Sequence, residues 1–336
     1  MSHRTTRIVA SALAAVLLLG ACSGGDDDPS AAPAPEASEG DGAKVVEVSP
    51  VTGKPFQNGR PDHPVFVVKV ENTDAGAPQI GLDQADLVVE ELVEGGITRL
   101  AAMYYSTLPK TVGHVRSLRG TDIGIAKPVG GQIVASGGAI KSLVQVRGAK
   151  VVAHTEDAGA SGFRSDPAKS RPYNRLVDLQ TLASTAPDSA APGPYFDWTP
   201  AGAEDEGPER TPASRASVRF SPSSTTTWTL RDGTWIRTNG HATKEFRANN
   251  LVVMFADVVD AGYLDPSGSR VPETKVKGKG RAVILTADGA VEGTWTKPGV
   301  SDTVTFKTKD GAPVTIKPGK TWIELVPNDG GTVTYN

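Results

Sequence analysis

Leu87-Val88-Val89-Glu90-Glu91-Leu92-Val93 runs into Glu94-Gly95-Gly96 and then into Ile97-Thr98-Arg99. This stretch decides the fold class. The first seven residues are aliphatic and β-branched around two acids, the pattern of a short buried strand. The Gly pair supplies a turn, and Thr98 to Ser106 reads as a returning strand, so the two form a hairpin. Alternation sends Glu90 and Glu91 to opposite faces.

Outward from the hairpin, Val65 to Val70, Gln132 to Ala135 and Val151 to His154 also read as strands. Leu118 to Lys127 and Ala139 to Val146 read as helices. Strands alternating with short helices predict an N-terminal α/β domain with a mixed sheet over residues 44–190. Residues 191–217 are rich in Ala, Pro, Gly and acids and read as a linker, apart from Tyr195, Phe196 and Trp198. From 218 to 336 the pattern changes. Short strand-like runs alternate with turn signals at Asp232-Gly233, Asn239-Gly240, Asp288-Gly289, Asp310-Gly311 and Pro318-Gly319. This half reads as a β-rich C-terminal domain, which makes the chain α+β overall.

The first residues read as an export signal. Arg4 and Arg7 precede an apolar run from Ile8 to Leu19, too short for a comfortable membrane span. Leu19-Gly20-Ala21-Cys22 follows, an aliphatic residue and two small ones before a thiol. This resembles the lipobox of bacterial lipoproteins, so residues 1–22 are expected to be a signal peptide ending at a lipidated Cys22. Two acyl chains on one thiol anchor a protein stably, whereas one chain does so marginally. Cys22 is the only cysteine of the 336 residues, so no disulfide can form within the chain.

Residues 23–43 hold six acids, no bases and no large apolar side chain, and read as a disordered acidic tether. The formal net charge is −3. The tether acids account for it, and the remainder is close to neutral. No basic field suited to nucleic acid is present.

Several stretches beyond the hairpin carry a family resemblance. They are Gly81-Leu82-Asp83-Gln84-Ala85-Asp86, Val112-Gly113-His114-Val115-Arg116-Ser117-Leu118-Arg119, Arg171-Pro172-Tyr173-Asn174, Asn250-Leu251-Val252-Val253 and Pro318-Gly319-Lys320-Thr321-Trp322-Ile323. With the Glu94 to Arg99 segment, they resemble the YerB-type bacterial lipoprotein family, a family of unknown biochemical function. The resemblance implies a two-part extracytoplasmic lipoprotein and implies no reaction. Ala135 and Tyr173 stand where the family is expected to carry histidines, which weakens any imidazole mechanism there.

Three groups of residues are candidates for chemistry. Glu90 and Glu94 are the candidate catalytic acids. Paired carboxylates about 5 to 9 Å apart can run glycoside hydrolysis, but positions four apart on one strand are about 13 Å apart by rise alone. Arg99, Arg116 and Arg119, with Ser117 and Asn174, are candidate ligand-binding residues, because guanidinium forks match carboxylates and phosphates. The same arginines also suit internal salt bridges to Glu90, Glu91 or Glu94. Gly137 and Gly138, after Ser136, sit between a strand and a helix, where backbone N–H groups can meet an anion; a plain tight turn is the stronger explanation. His114, His154 and His241 lack metal-ligand spacing, so no metal and no cofactor is expected.

Two functions follow as expectations. One is a membrane-anchored binding or regulatory module for an anionic cell-envelope ligand or an envelope enzyme. The other is an envelope polysaccharide hydrolase using glutamate acid/base chemistry. Bidentate pairing of the glutamates with the arginines would weigh against the second.

Overall fold

A computed structural model describes residues 47–200, 203 and 207–336. The expected signal peptide, Cys22 and the expected tether lie outside the described residues. In the first half the strands are β1 (Phe66–Glu71), β2 (Leu87–Leu92), β3 (Thr98–Tyr104), β4 (Val112–Gly113), β5 (Gln132–Ala135), β6 (Ala153–Thr155), β7 (Phe163–Ser165) and β8 (Arg175–Val177). The helices are α1 (Thr121–Ala126), α2 (Ile140–Gly148) and α3 (Leu179–Ala183). The second half is built of strands: β9 (Arg215–Ser221), β10 (Ser224–Arg231), β11 (Thr234–Arg237), β12 (Arg247–Ala248), β13 (Asn250–Ala256), β14 (Val258–Leu264) and β15 (Arg270–Thr274) come first. They are followed by β16 (Gly278–Thr286), β17 (Gly289–Lys297), β18 (Thr305–Thr308), β19 (Pro313–Val314), β20 (Thr321–Pro327) and β21 (Thr332–Tyr335).

The expected hairpin forms: β2 and β3 pair antiparallel around a 3-10 turn at Glu94–Gly96. Gly95 and Gly96 both take φ of 73°, a conformation that costs glycine little. The Asp232-Gly233 signal also forms its turn. Both residues have positive φ, as a two-residue hairpin loop between right-twisted strands requires.

An eleven-stranded mixed sheet organises the molecule, in the order β19-β18-β17-β16-β13-β20-β2-β3-β1-β5-β6. The two halves of the chain share it. β20, near the C-terminus, lies between β13 and β2 and runs parallel to both. Sequence separation suggests two independent sheets, but all seven residues of β20 are buried. A strand buried on both faces and both edges needs two hydrogen-bonding neighbours. β2 supplies one from the first half, and β13 supplies the other from the second. The segment expected to be a linker also takes part: Tyr195 and Phe196 are buried in the core.

One face of the sheet packs on α1, α2 and the Tyr195-Phe196 segment, with Val67, Val89, Ile125, Ile133 and Val146 in the core between them. The other face packs on the five-stranded sheet β12-β11-β10-β9-β21 and on α3. Trp228, Trp235, Phe246 and Trp322 fill that core. Trp228, Trp235, Trp295 and Trp322 are thus core residues.

Candidate functional site

Strands β1, β2, β5, β6, β13 and β20 all point the same way. Their carboxyl ends therefore share one edge of the sheet, the usual place for a ligand crevice in open α/β sheets. Most of the sequence-predicted residues gather there. Glu71 ends β1, Arg99 lies at the start of β3, Glu91 and Glu94 end the β2 segment, and Ser117, Arg119, Gly137 and Gly138 follow in loops.

The charges at this edge are interleaved and nearly all paired. Lys69 is fully buried and bridges two fully buried carboxylates, Glu91 at 2.5 Å and Asp122 at 2.7 Å. Burial raises the Glu91 carboxyl above its usual range; Lys69 opposes this and Asp122 adds to it. Arg119 grips Glu94 with both Nε, at 3.1 Å, and Nη2. Arg99 stands 3.7 Å from the same carboxylate. Burial works to raise the Glu94 carboxyl, yet Arg99 and Arg119 hold it below its usual range. Burial and the like charge of Arg119 pull Arg99 itself down to about 10. Arg116 donates to Glu71 and lies over the Tyr173 ring at 4.7 Å. Four bases and four acids thus form a buried network that cancels its own charge.

This pairing decides how much the arginines have left for a ligand. A guanidinium carries five N–H donors. Arg119 spends two on Glu94 and directs Nη1 to the carbonyls of Ser117 and Leu118. One donor remains. Arg116 and Asn174 do not meet Arg119 in a single pocket. Asn174 follows Tyr173 in a neighbouring loop, where its carbonyl accepts from the Asp166 N–H.

A cleft of about 450 Å³ opens beside Arg119. Ser117, Gly138, Ala139 and Asp157 form one wall, and Tyr263 to Pro266 form the other. The second wall is the tip of the β14–β15 hairpin, from the second half of the chain. Its position is fixed by the Ser142 hydroxyl against the Tyr263 phenol at 2.8 Å and by Gln145 donating to Glu273 at 3.2 Å. Gly137 has a packing reason: a Cβ there would stand 1.9 Å from Asp157 Oδ2. The residue is therefore needed to bring Asp157 to the cleft.

Glu90 faces the opposite way from this cleft, with the tryptophan core. It is 1% exposed and accepts from Thr98 at 2.7 Å and Asn72 at 3.0 Å, with Arg237 at 3.7 Å. Glu90 and Glu94 thus lie on different sides of the sheet and form no catalytic pair. The direct neighbour of Glu90 is Glu324, its partner in the β2–β20 register. Periodicity could not reveal that contact, because it joins strands more than two hundred residues apart. The hairpin residues Tyr263 and Asp265 were missed for the same reason.

The comparisons with known proteins agree with this architecture. The family described as "Protein of unknown function (DUF3048)" matches through its N-terminal domain at residues 51–192 and its C-terminal domain at residues 216–323. "Putative lipoprotein YerB" of Bacillus subtilis (strain 168) is 48% identical over 80 residues. That alignment covers 24% of this chain and 24% of the relative, so the chain is matched to only about a quarter of that protein's length. The crystal structure of YerB from Bacillus subtilis superposes with a TM-score of 0.70 at 22% identity. It covers 86% of this chain and 99% of that one, which shows a shared fold. With both domain models matched in order along one continuous sheet, the chain belongs to the DUF3048 family of proteins of unknown function.

Proposed function

We propose that this protein is a lipid-anchored binding or regulatory module on the extracytoplasmic face of the cell membrane. Its partner is a cell-envelope component held in the cleft at the carboxyl edge of the sheet. The observation that carries the reading is the composition of that cleft: one wall comes from each half of the chain, and Ser117, Arg119, Asp157, Tyr263 and Asp265 give it a polar lining. The name of the Bacillus relative and the Leu19-Gly20-Ala21-Cys22 sequence support the anchor.

The charge balance narrows the ligand. Arg119 is neutralised by Glu94 and keeps one free donor, while Asp157 and Asp265 add negative charge to the rim. A strongly anionic ligand would meet those carboxylates. A neutral, hydroxyl-rich ligand such as a cell-wall saccharide finds Ser117, Asp157, Tyr263 and the spare N–H as partners, which alters the anionic expectation at this edge. The clamping of Glu94 by Arg119 and the burial of Glu90 on the far side weigh against the hydrolase reading.

Two experiments test the reading. Cys22→Ala moves the protein to the soluble fraction; retention on washed membranes overturns the anchor. A photo-crosslinker at Leu264, exposed on the cleft rim, captures cell-wall glycan in living cells. The same yield from a crosslinker at exposed Val300, away from the cleft lining, overturns the cleft as the binding site.

A further inference from the structure

A second cavity lies at the opposite edge, where β1, β2 and β20 begin. It measures about 710 Å³. Residues 49–63 form its roof, and Asp86, Ser106, Thr107 and Lys320 form its floor. This roof is the first described part of the chain after the tether.

The cavity carries cations that, unlike the arginines of the carboxyl edge, are not spent on one another's partners. Lys54 is exposed and makes no ion pair among the described residues. Lys320 is half-buried, and its ammonium donates one hydrogen to the Asp83 carbonyl at 2.7 Å, leaving two. Arg60 at the rim is only loosely attached to Glu47, at 3.6 Å, with both side chains well exposed. Burial pulls the Lys320 ammonium down from its usual value. Asp86 and Asp83 counter this, while Lys54 and Lys244 push in the same direction. Lys54 and Lys320 are therefore close enough to feel each other's charge.

The acids in the cavity are less available than the bases. Asp86 is 3% exposed, and its Oδ2 already accepts the N–H groups of Tyr105 at 2.7 Å and Ser106 at 2.8 Å. Asp62 sits on the exposed roof. Ser49, Thr52, Ser106 and Thr107 add hydroxyls around the two lysines. Lys54 and Lys320, whose ammonium also stands 5.5 Å from the Phe246 ring centroid, line one cavity with four hydroxyl residues, a composition suited to phosphate, which lysine holds as a compact cation.

The geometry points to a second binding site in this cavity: Lys54 and Lys320, assisted by Arg60, hold the phosphate group of a small polyol phosphate, either free or as a lipid headgroup at the membrane surface. The site is independent of the carboxyl-edge cleft. Only its lipid arm leans on the proposed anchor, which would keep the roof near a membrane.

Calorimetric titration of the full chain with sn-glycerol 3-phosphate at physiological salt tests the free source. Lys54→Ala and the Lys54→Ala/Lys320→Ala pair weaken binding by about tenfold or more, each step of ten being about 1.4 kcal/mol. Lys279→Ala, an exposed lysine outside the cavity, leaves it unchanged. Lys54 is exposed, so its single variant remains informative if the double variant fails to fold. Co-sedimentation of the full-length Cys22→Ala chain tests the lipid source. Vesicles of phosphatidylcholine with phosphatidylglycerol retain it through the same lysines, and phosphatidylcholine alone does not. Binding to neither probe, or an equal loss in Lys279→Ala, overturns the site. Ser117→Ala/Asp157→Ala leaves this binding intact, so failure of the cleft reading and failure of this one are separable.

Discussion

Glu90 and Glu324 lie directly opposite each other on the parallel strands β2 and β20, at 1% and 0% exposure. Two carboxylates that close and that dry cannot both ionise cheaply. Burial lifts the Glu324 carboxyl well above its ordinary range, and the Glu90 charge adds to this against the pull of Arg237. Trp228 donates its indole N–H to Glu324 Oε1 at 2.8 Å, tying the pair to the five-stranded sheet. The contact where the two halves of the chain meet therefore favours the protonated form of Glu324.

That proton makes stability fall as pH rises. A group whose folded pKa lies above its unfolded value contributes stability that is complete below the unfolded value and is lost as pH rises through the folded one. The window here opens at the ordinary glutamate value, 4.5, and extends upward. Glu324→Gln keeps the acceptor for Trp228 and supplies a permanent donor toward Glu90. Thermal melts from pH 5 to 8 give a flatter profile for the variant than for the wild type. Parallel profiles would show that Glu324 carries no shared proton.

Glu94→Gln tests the opposite sign at the carboxyl edge. The Glu94 carboxyl is held below its usual range, so its contribution is present above the ordinary carboxyl value and is lost as pH falls. Replacing it leaves Arg119 and buried Arg99 short of a counter-charge. Breaking such a pair costs roughly 3 to 5 kcal/mol. Urea unfolding at pH 7 records that loss, and the gap to wild type narrows at pH 3. A change below about 1 kcal/mol, the scale of an exposed pair, would remove Glu94 from the structural network.

Lys69→Met strands two carboxylates that have no exposure to water. The loss is again roughly 3 to 5 kcal/mol at pH 7, and it shrinks toward pH 5 as Glu91, whose carboxyl is already raised, takes up a proton. Denaturant midpoints at the two values check this. A pH-independent loss would place the cost in packing instead.

Gly137→Ala puts a methyl group against Asp157 Oδ2. Asp157 is exposed and can swing away, so stability changes by less than about 1 kcal/mol. Ligand binding at the cleft falls with it. Adding Asp157→Ala to Gly137→Ala costs nothing further in binding, because the first change has already displaced the carboxylate. Additive losses in the double variant would separate the two residues.

The strands of the fold were legible because they are short apolar, β-branched runs bounded by turns that carry Gly, Asn and Asp. The β2–β3 hairpin and the Asp232-Gly233 turn form as their residues require. The insertion of β20 beside β2 was not legible, since a buried strand's sequence says that it has neighbours and not which ones. The site divides in the same way. Arg99, Arg119, Glu94, Ser117 and Gly138 do converge on one edge. Their mutual neutralisation depends on pairings across strands, which spacing along the chain does not encode. Lys54 and Lys320 lie too far apart in sequence for any motif to join them.

On the proposed function, the cleft at the carboxyl edge binds a hydroxyl-rich envelope component through Ser117 and Asp157. The most direct test is calorimetric titration of the full chain with soluble cell-wall fragments from muramidase digestion, comparing wild type with Ser117→Ala/Asp157→Ala. The wild type binds saturably, and the variant binds about tenfold or more weakly at unchanged melting temperature, as loss of two hydrogen-bonding partners implies. Equal affinity in the two proteins, or no binding by either, would contradict it.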